Sequence, residues 1–369
     1  MVKRPTVLLL IPHLGGGGAE RVTALLVNGL SPRKYDLHLG LITRDDAGRD
    51  PLPPWVGVHV LGASRVCFGA MRLLRLIHKL RPAIVLSSMA HLNFLVLLLR
   101  PLFPRKTSVL ILQNGIVASQ LPARSRPSTL LLYRVLYGRA DRIVCQTQAM
   151  AAEIACLPRT AGKLRVLPNP VDVVAVRASA HKSPSHFDGP GPHLLAVGRL
   201  SHEKGFDMLL KAFVDVRASF READLTILGA GPEERALKTL RRSLALEPAV
   251  RFAGYVPRPE AWFTDATLFV LSSRHEGLPN ALLEAAAGGL PIVAVPARGG
   301  VKELLDQQPG VWVAQAISAS ALAQSLQAAL GELHPAQRFP HCWIDEFRMD
   351  RAIQRYEELF DETLARWAR

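Results

Sequence analysis

The chain has 369 residues, room for two cores at the usual ~150 residues per domain, and its 49% hydrophobic and 21% charged content excludes a disordered or fibrous protein. Its net charge of +14 is unevenly spread: residues 1–168 hold 23 Lys and Arg against 7 Asp and Glu, and the remainder 22 against 24. A field of this kind attracts phosphate-rich partners, whether anionic lipid, nucleic acid or phosphorylated substrate.

The first apolar run, 7–11, is too short for a signal-peptide core and reads as a buried strand. Strands are predicted at 6–12, 37–43, 58–61, 84–87, 109–113, 142–146 and 163–167, with helical patterns between them. Runs apolar on both faces and alternating with helices form a parallel sheet covered on two sides. The most lipid-like stretch, 84–99, contains His91 and Asn93 and falls short of the ~20 apolar residues of a spanning helix. Residues 171–192, rich in Pro, Ser and Gly, read as a linker. A second series follows at 193–197, 224–228, 250–252, 268–271 and 291–294, and 344–367 is an amphipathic helix with Phe347, Ile353, Tyr356, Leu359, Phe360 and Leu364 on one side. The expected architecture is α/β, with doubly wound domains at 1–170 and 193–343 and a C-terminal helix at 344–369. Open parallel sheets bind ligands beyond the carboxyl ends of their strands, so the expected ligand site is a cleft between the two domains. Cys67, Cys145, Cys156 and Cys342 lie far apart with no C-x-x-C pair, which favours a reducing compartment over a disulfide framework or zinc site.

The chemistry is read from three strand-to-helix junctions. After the first strand, Gly15, Gly16, Gly17 and Gly18 let backbone approach a ligand, and the helix predicted over 21–30 favours an anion at its start; the spacing fits neither a dinucleotide fingerprint nor a Walker loop. At Gly198-Arg199-Leu200-Ser201-His202-Glu203-Lys204, Arg199 and Lys204 lie five apart, placed to hold one diphosphate as a planar fork and a point charge. Beyond 268–271, Glu276 precedes a helix and Glu284 falls two turns inside it, with Gly277 and Asn280 near its start, so that carboxylates are available to sugar or ribose hydroxyls beside a phosphate-binding helix start.

Residues 250–305, with two glutamates separated by seven residues, resemble the family 4 retaining glycosyltransferases of GT-B fold (glycosyl transferases group 1), and the likeness extends to GGGGAERV, LPNPVD, VGRLSHEKGFDMLL and ILGAGPEERALKTL. The resemblance implies that Arg199 and Lys204 bind the donor diphosphate, Glu284 the nucleotide ribose and Glu276 the donor sugar hydroxyls. It implies that the backbone of Asn280, Ala281 and Leu282 meets phosphate and sugar, that Gly254-Tyr255-Val256 walls the base pocket, and that Gly15–Gly18 closes over the donor. His91 is similar to the family's active-site histidine. LQNG at 112–115 and ARGG at 297–300 depart from the usual pattern and bear on acceptor contacts.

The implied reaction moves a sugar from a nucleotide sugar, UDP-N-acetylhexosamine or UDP-hexose, to a glycan or lipid-linked saccharide of the cell envelope. Arg199, Lys204 and helix N-termini would stabilise the departing diphosphate, so neither cofactor nor metal is expected, and no D-x-D pair is present. A cytoplasmic protein peripheral to the inner face of the membrane is expected, with 71–81 and 130–142 as basic, apolar contact segments. Two other readings are a nucleotide-sugar epimerase or hydrolase on the same cleft, and a nucleic-acid binder. The second lacks helix-turn-helix, zinc and stacking motifs, and no nucleic-acid partner is expected.

Overall fold

The computed structural model describes residues 4–43, 52–63, 66–115, 117, 126–179, 186–334 and 336–368. The chain divides into two compact units, one of Met1–Pro170 with Met349–Arg369, the other of Val171–Arg348.

In the first unit the chain runs β1 (Thr6–Ile11), α1 (Gly18–Gly29), β2 (Asp36–Leu41), β3 (Gly57–Val60), α2 (Ala70–Leu80), β4 (Ile84–Ser88), α3 (Ala90–Leu99), β5 (Ser108–Gln113), α4 (Arg126–Leu136), β6 (Arg142–Cys145), α5 (Gln148–Ala155) and β7 (Leu164–Val166). The strands form one parallel sheet in the order β3-β2-β1-β4-β5-β6-β7. Alternation explains why they are buried: Leu8 and Leu10 of β1 enter one hydrophobic core, Val7, Leu9 and Ile11 the core on the opposite face.

The second unit contains α6 (Val173–Ser179), β8 (His193–Val197), α7 (Phe206–Ser219), β9 (Asp224–Leu228), α8 (Glu234–Ser243), β10 (Val250–Gly254), α9 (Glu260–Phe263), β11 (Leu268–Leu271), α10 (Asn280–Ala287), β12 (Ile292–Ala294), α11 (Val301–Leu305), β13 (Val311–Val313) and α12 (Ala319–Glu332). Its parallel sheet has the order β10-β9-β8-β11-β12-β13. Leu194 and Ala196 of β8 face one core and Leu195 the other.

The last helix, α13 (Met349–Ala368), returns to the first unit. Ile353, Tyr356, Leu359 and Phe360 are buried in the core that holds Val7, Leu9 and Ile11. The Phe360 ring meets Tyr35 edge-on at 5.7 Å, the Tyr35 hydroxyl donates to Asp361 at 2.8 Å, and Trp367 donates to Ser108 at 2.7 Å.

Three expectations are revised. Residues 171–179 are not linker: Val173 and Val176 are buried against Trp262 and Leu282, so helical apolar spacing outweighs the Pro- and Ser-rich surroundings; residues 180–185 lie outside the described residues. The C-terminal helix starts at Met349, and Cys342–Phe347 is a separate 3-10 turn of the second unit that buries Ile344 and Phe347. The edge strand β13 adds to the expected strands. Cys145, Cys156 and Cys342 are free thiols, and the Cys67 side chain lies outside the described residues. No helix among the described residues is long and apolar enough to cross a membrane.

Candidate active site

In each sheet the strand order reverses once, between β1 and β4 in the first unit and between β8 and β11 in the second. Strands diverge beyond such a point, which leaves a crevice at their carboxyl ends. All three junctions identified in the sequence, and His91, lie at these two places.

At the second unit's switch point, β8 runs into Gly198. A Cβ there would lie in ordinary contact, 3.4 Å from the Lys204 side chain, which folds back over the strand end. The turn is stacked on the loop after β9: Leu200 donates to Ala230 at 3.0 Å and Glu233 to Leu200 at 2.9 Å. Gly229 and Gly231 are required there, because a Cβ on either would strike the backbone of Gly198 or Leu200. Gly205, with φ +66°, leads into α7 and leaves room for the Ser272 carbonyl. Arg199 is exposed at the rim.

Lys204 Nζ reaches Glu276 Oε1 at 2.6 Å, and the Ser273 hydroxyl donates to the same oxygen at 2.6 Å. Glu276 is 9% exposed, and such burial of a carboxylate requires partners of this kind. Arg274 fixes the spacing of the two loops, donating to both carboxylate oxygens of Asp207 at 2.7 Å and to the His202 carbonyl at 2.8 Å. The bond from Arg274 holds the Asp207 carboxyl below the usual carboxylate range.

Glu284 is buried only one turn inside α10, not two, because the helix starts at Asn280. The amides of Leu282 and Leu283 donate to the Pro279 carbonyl, so the Leu282 N–H, expected to meet ligand, is already used. Gly277 precedes α10, while Gly254, at φ +76°, ends β10 and accepts from Gly229 at 2.7 Å. Tyr255 is exposed and Val256 partly buried beside it. Gly198, Lys204 and Glu276 are thus brought together directly, whereas Gly254-Tyr255-Val256 lies at the far edge strand of the sheet.

In the first unit, Gly15–Gly18 connects β1 to α1. The Gly15 amide donates to His13 Nδ1 at 3.2 Å, Gly16 has φ +67°, and a Cβ on Gly17 would clash with the buried Glu20 carboxylate. Across the switch point, β4 is joined to α3 by Met89, whose φ of +76° and ψ of +131° are strained for a residue with a side chain. The kink is held by Leu92 and Asn93 donating to the Met89 carbonyl and by the buried Asn93 amide donating to Leu112 at 3.1 Å. His91 is thereby set in the lining of a cavity of about 890 Å³ that also touches Pro12 and His13. Burial, and secondarily His13, lower its pKa below that of a free histidine.

Several residues of these sites had no assigned role in the sequence. Ser273 and Arg274 stand in the motif that carried Glu276; Ser273 partners that glutamate three residues on, whereas the partner of Arg274, Asp207, is distant in sequence. Asn114, inside the divergent LQNG, donates to Ser88 at 2.6 Å and accepts from Gln146 at 3.0 Å, forming a polar row along the carboxyl ends of β4, β5 and β6.

Residues 16–174 match the family described as Glycosyltransferase Family 4, and residues 191–332 that described as Glycosyl transferases group 1. The N-acetylgalactosamine-N,N'-diacetylbacillosaminyl-diphospho-undecaprenol 4-alpha-N-acetylgalactosaminyltransferase of Campylobacter jejuni is 26% identical over 324 residues, 83% of this chain and 85% of that one. Alignment with the first curated relatives spans from 33% to 60% of their length. Among solved structures, sucrose-phosphate synthase from Thermosynechococcus elongatus superimposes with a TM-score of 0.80 at 18% identity over 98% of this chain and 100% of that one. Anabaena HepE, in complex with UDP-glucose, does so with 0.78 at 15% over 97% and 100%. These likenesses show the fold, GT-B. With a family match in each half and the fold shared over nearly its whole length, the chain belongs to the family 4, group 1 glycosyltransferases.

Proposed function

We propose that the protein transfers a sugar from a nucleotide-sugar donor to a saccharide or lipid-linked saccharide acceptor in the synthesis of cell-envelope polysaccharide or glycolipid, retaining the anomeric configuration. The observation that carries this reading is the Lys204–Glu276 pair, 2.6 Å apart at a topological switch point. A nucleotide sugar needs cations for its diphosphate and acceptors for its hydroxyls, and here one of each shares a buried seat.

In this reading Arg199 and Lys204 take the diphosphate, Glu276 the sugar hydroxyls and Glu284 the ribose, with Gly254-Tyr255-Val256 against the base. Departure of the diphosphate builds negative charge, which the two cations and the start of α10 stabilise, and the leaving phosphate takes the acceptor proton. That charge balance requires no divalent metal. His91 and Gly15–Gly18 serve the reacting sugar and the acceptor. The donor base is taken as uracil, in keeping with the UDP-glucose of HepE. The undecaprenol in the name of the Campylobacter relative supports work at a membrane surface.

Thermal unfolding with a panel of nucleotide sugars tests the reading. A ligand at about 100 times its Kd adds about 2.7 kcal/mol to a native state that alone binds it, so one UDP-sugar is expected to raise Tm and to lose that effect in Lys204→Met. No shift with any nucleotide sugar at millimolar concentration overturns it. Turnover of the donor in the absence of acceptor would instead favour the epimerase or hydrolase.

A further inference from the structure

At the outer edge of the first unit's sheet, β3 pairs with β2 alone. Their parallel register sets His38 opposite Gly57 and Gly40 opposite His59, so both imidazoles stand on one face of the ribbon, each across from a glycine. His38 Nδ1 lies 2.9 Å from His59 Nε2, and the ring centroids are 5.1 Å apart at a tilt of 34°, so the rings meet through nitrogen and do not stack. The other ring nitrogen of His38, Nε2, faces Asp36 Oδ2 at 3.3 Å, and that oxygen also accepts from the Thr6 hydroxyl at 3.3 Å. A carboxylate only accepts, so the His38 hydrogen is on Nε2 and the Nδ1 lone pair is turned to His59.

A carboxylate on the far nitrogen is what orients a metal-binding imidazole and raises its basicity. A Cβ on Gly57 would lie 2.3 Å from His38 Nδ1, close to the length of a metal–nitrogen bond, so the glycine keeps carbon out of the space before that nitrogen. The His38 side chain is 16% exposed and His59 is only partly buried, which gives solvent access to the pair. A hydrogen bond between the rings uses the same 2.9 Å; the carboxylate behind Nε2 and the glycine before Nδ1 are what a metal ligand adds. The spacing also selects the ion. Bonds of ~2.05 Å at right angles place two nitrogens about 2.9 Å apart, whereas a tetrahedral angle places them about 3.3 Å apart. The observed spacing fits the right-angled set, that of Cu²⁺ and Ni²⁺.

We propose that His38 and His59 bind a divalent copper or nickel ion that clips the edge strand β3 to β2, with Asp36 orienting His38 and water in the other coordination positions. No group of three His, Cys, Asp or Glu side chains suited to a metal occurs among the described residues, so the protein supplies two ligands. Binding moves the His59 hydrogen from Nε2 to Nδ1, a change of tautomer that releases no proton. The exposed Lys79 of α2 acts on His59 electrostatically and opposes the cation. The site lies outside the proposed transfer reaction and does not depend on it.

The test is thermal unfolding of the full chain, first freed of metal with EDTA, over a titration with Ni²⁺, together with the electron paramagnetic resonance spectrum of the equimolar Cu²⁺ complex. Nickel is expected to raise Tm, since the native pair is preorganised and the unfolded chain is not, and EDTA should reverse the rise. The copper spectrum should carry coupling to two imidazole nitrogens. His38→Gln and His59→Gln should each lose both the rise and the two-nitrogen signal. Asp36→Asn keeps the ligands and should weaken binding about tenfold, and Lys79→Gln should tighten it. Every shift is read against the variant's own metal-free Tm, so a change in intrinsic stability does not mask the result. A rise in His38→Gln equal to that of the parent would place the ion on other histidines and overturns the proposal, as does a parent whose Tm does not move at millimolar Ni²⁺. A larger rise with Zn²⁺ than with Ni²⁺ would mark a tetrahedral site and overturn the choice of ion.

Discussion

Lys204 and Glu276 hold two loops together, and in the proposed reaction each also meets the donor. Replacing Lys204 with Met removes a donor to a buried carboxylate, and such a loss destabilises by about 1–3 kcal/mol. If the lysine also stabilises the leaving diphosphate, kcat should fall about 10²- to 10³-fold. Unfolding and turnover of the same variant separate the tasks: a stability loss without a kcat loss assigns the lysine to architecture alone. His91 gives a different signature. Its pKa is lowered, first by burial, so the ring is neutral at pH 7 in the folded protein. The unfolded chain takes up the proton first, near the ordinary ~6.5. The stability this residue contributes is therefore present above that pH and lost as pH falls below it. The acid limb of kcat/KM due to His91 should lie under 6.5 and disappear in His91→Gln, as a pH profile would read.

The switch points depend on loops that leave no space. Gly205 at φ +66° and Gly229 at φ +141° pack against the carbonyls of Ser272 and Gly198. Gly205→Ala and Gly229→Ala should each cost about 1–3 kcal/mol by urea unfolding, since the added Cβ meets backbone and the left-handed conformation must be kept. Arg274→Lys keeps the charge but loses the two-pronged hold on Asp207. It should raise the donor KM several-fold with a smaller effect on kcat, because the arginine sets loop spacing without itself carrying charge to the reaction. The legibility of these elements divides along the same physical line. Among the described residues, twelve of the thirteen strands are legible as apolar runs alternating with helical patterns; β13 is no shorter and no less buried than β7, which is legible, so its length does not account for the difference. Lys204, Glu276 and Gly198 were legible as local motifs. Asp207 with Arg274, and Ser88 with Asn114 and Gln146, were not, since each partnership is made by the fold between residues 26 to 67 positions apart. Val173 and Val176 were hidden by the prolines and serines around them.

At the scale of the molecule, the first unit is built from both ends of the chain. The passages between units lie side by side: the Val171 amide donates to the Phe347 carbonyl at 2.7 Å, and Val171 pairs with Arg348. Helix α13 contributes Ile353, Tyr356, Leu359 and Phe360 to the first core, each worth about 1.5–3 kcal/mol of burial, against a domain stability of about 5–15 kcal/mol in all. Truncation after Arg348 is therefore expected to abolish cooperative unfolding of the first unit while the second keeps its own transition, which calorimetry and limited proteolysis would resolve.

The same discontinuity bears on birth as well as endurance. Domains emerging from the ribosome generally fold from the amino end onward, but here one face of the leading half's sheet, covered only in part by α1, waits until α13 has been translated. The nascent chain can finish its trailing unit first, and a polypeptide that stops early is left with an uncovered nonpolar face, marking it for proteolysis before it could reach a substrate.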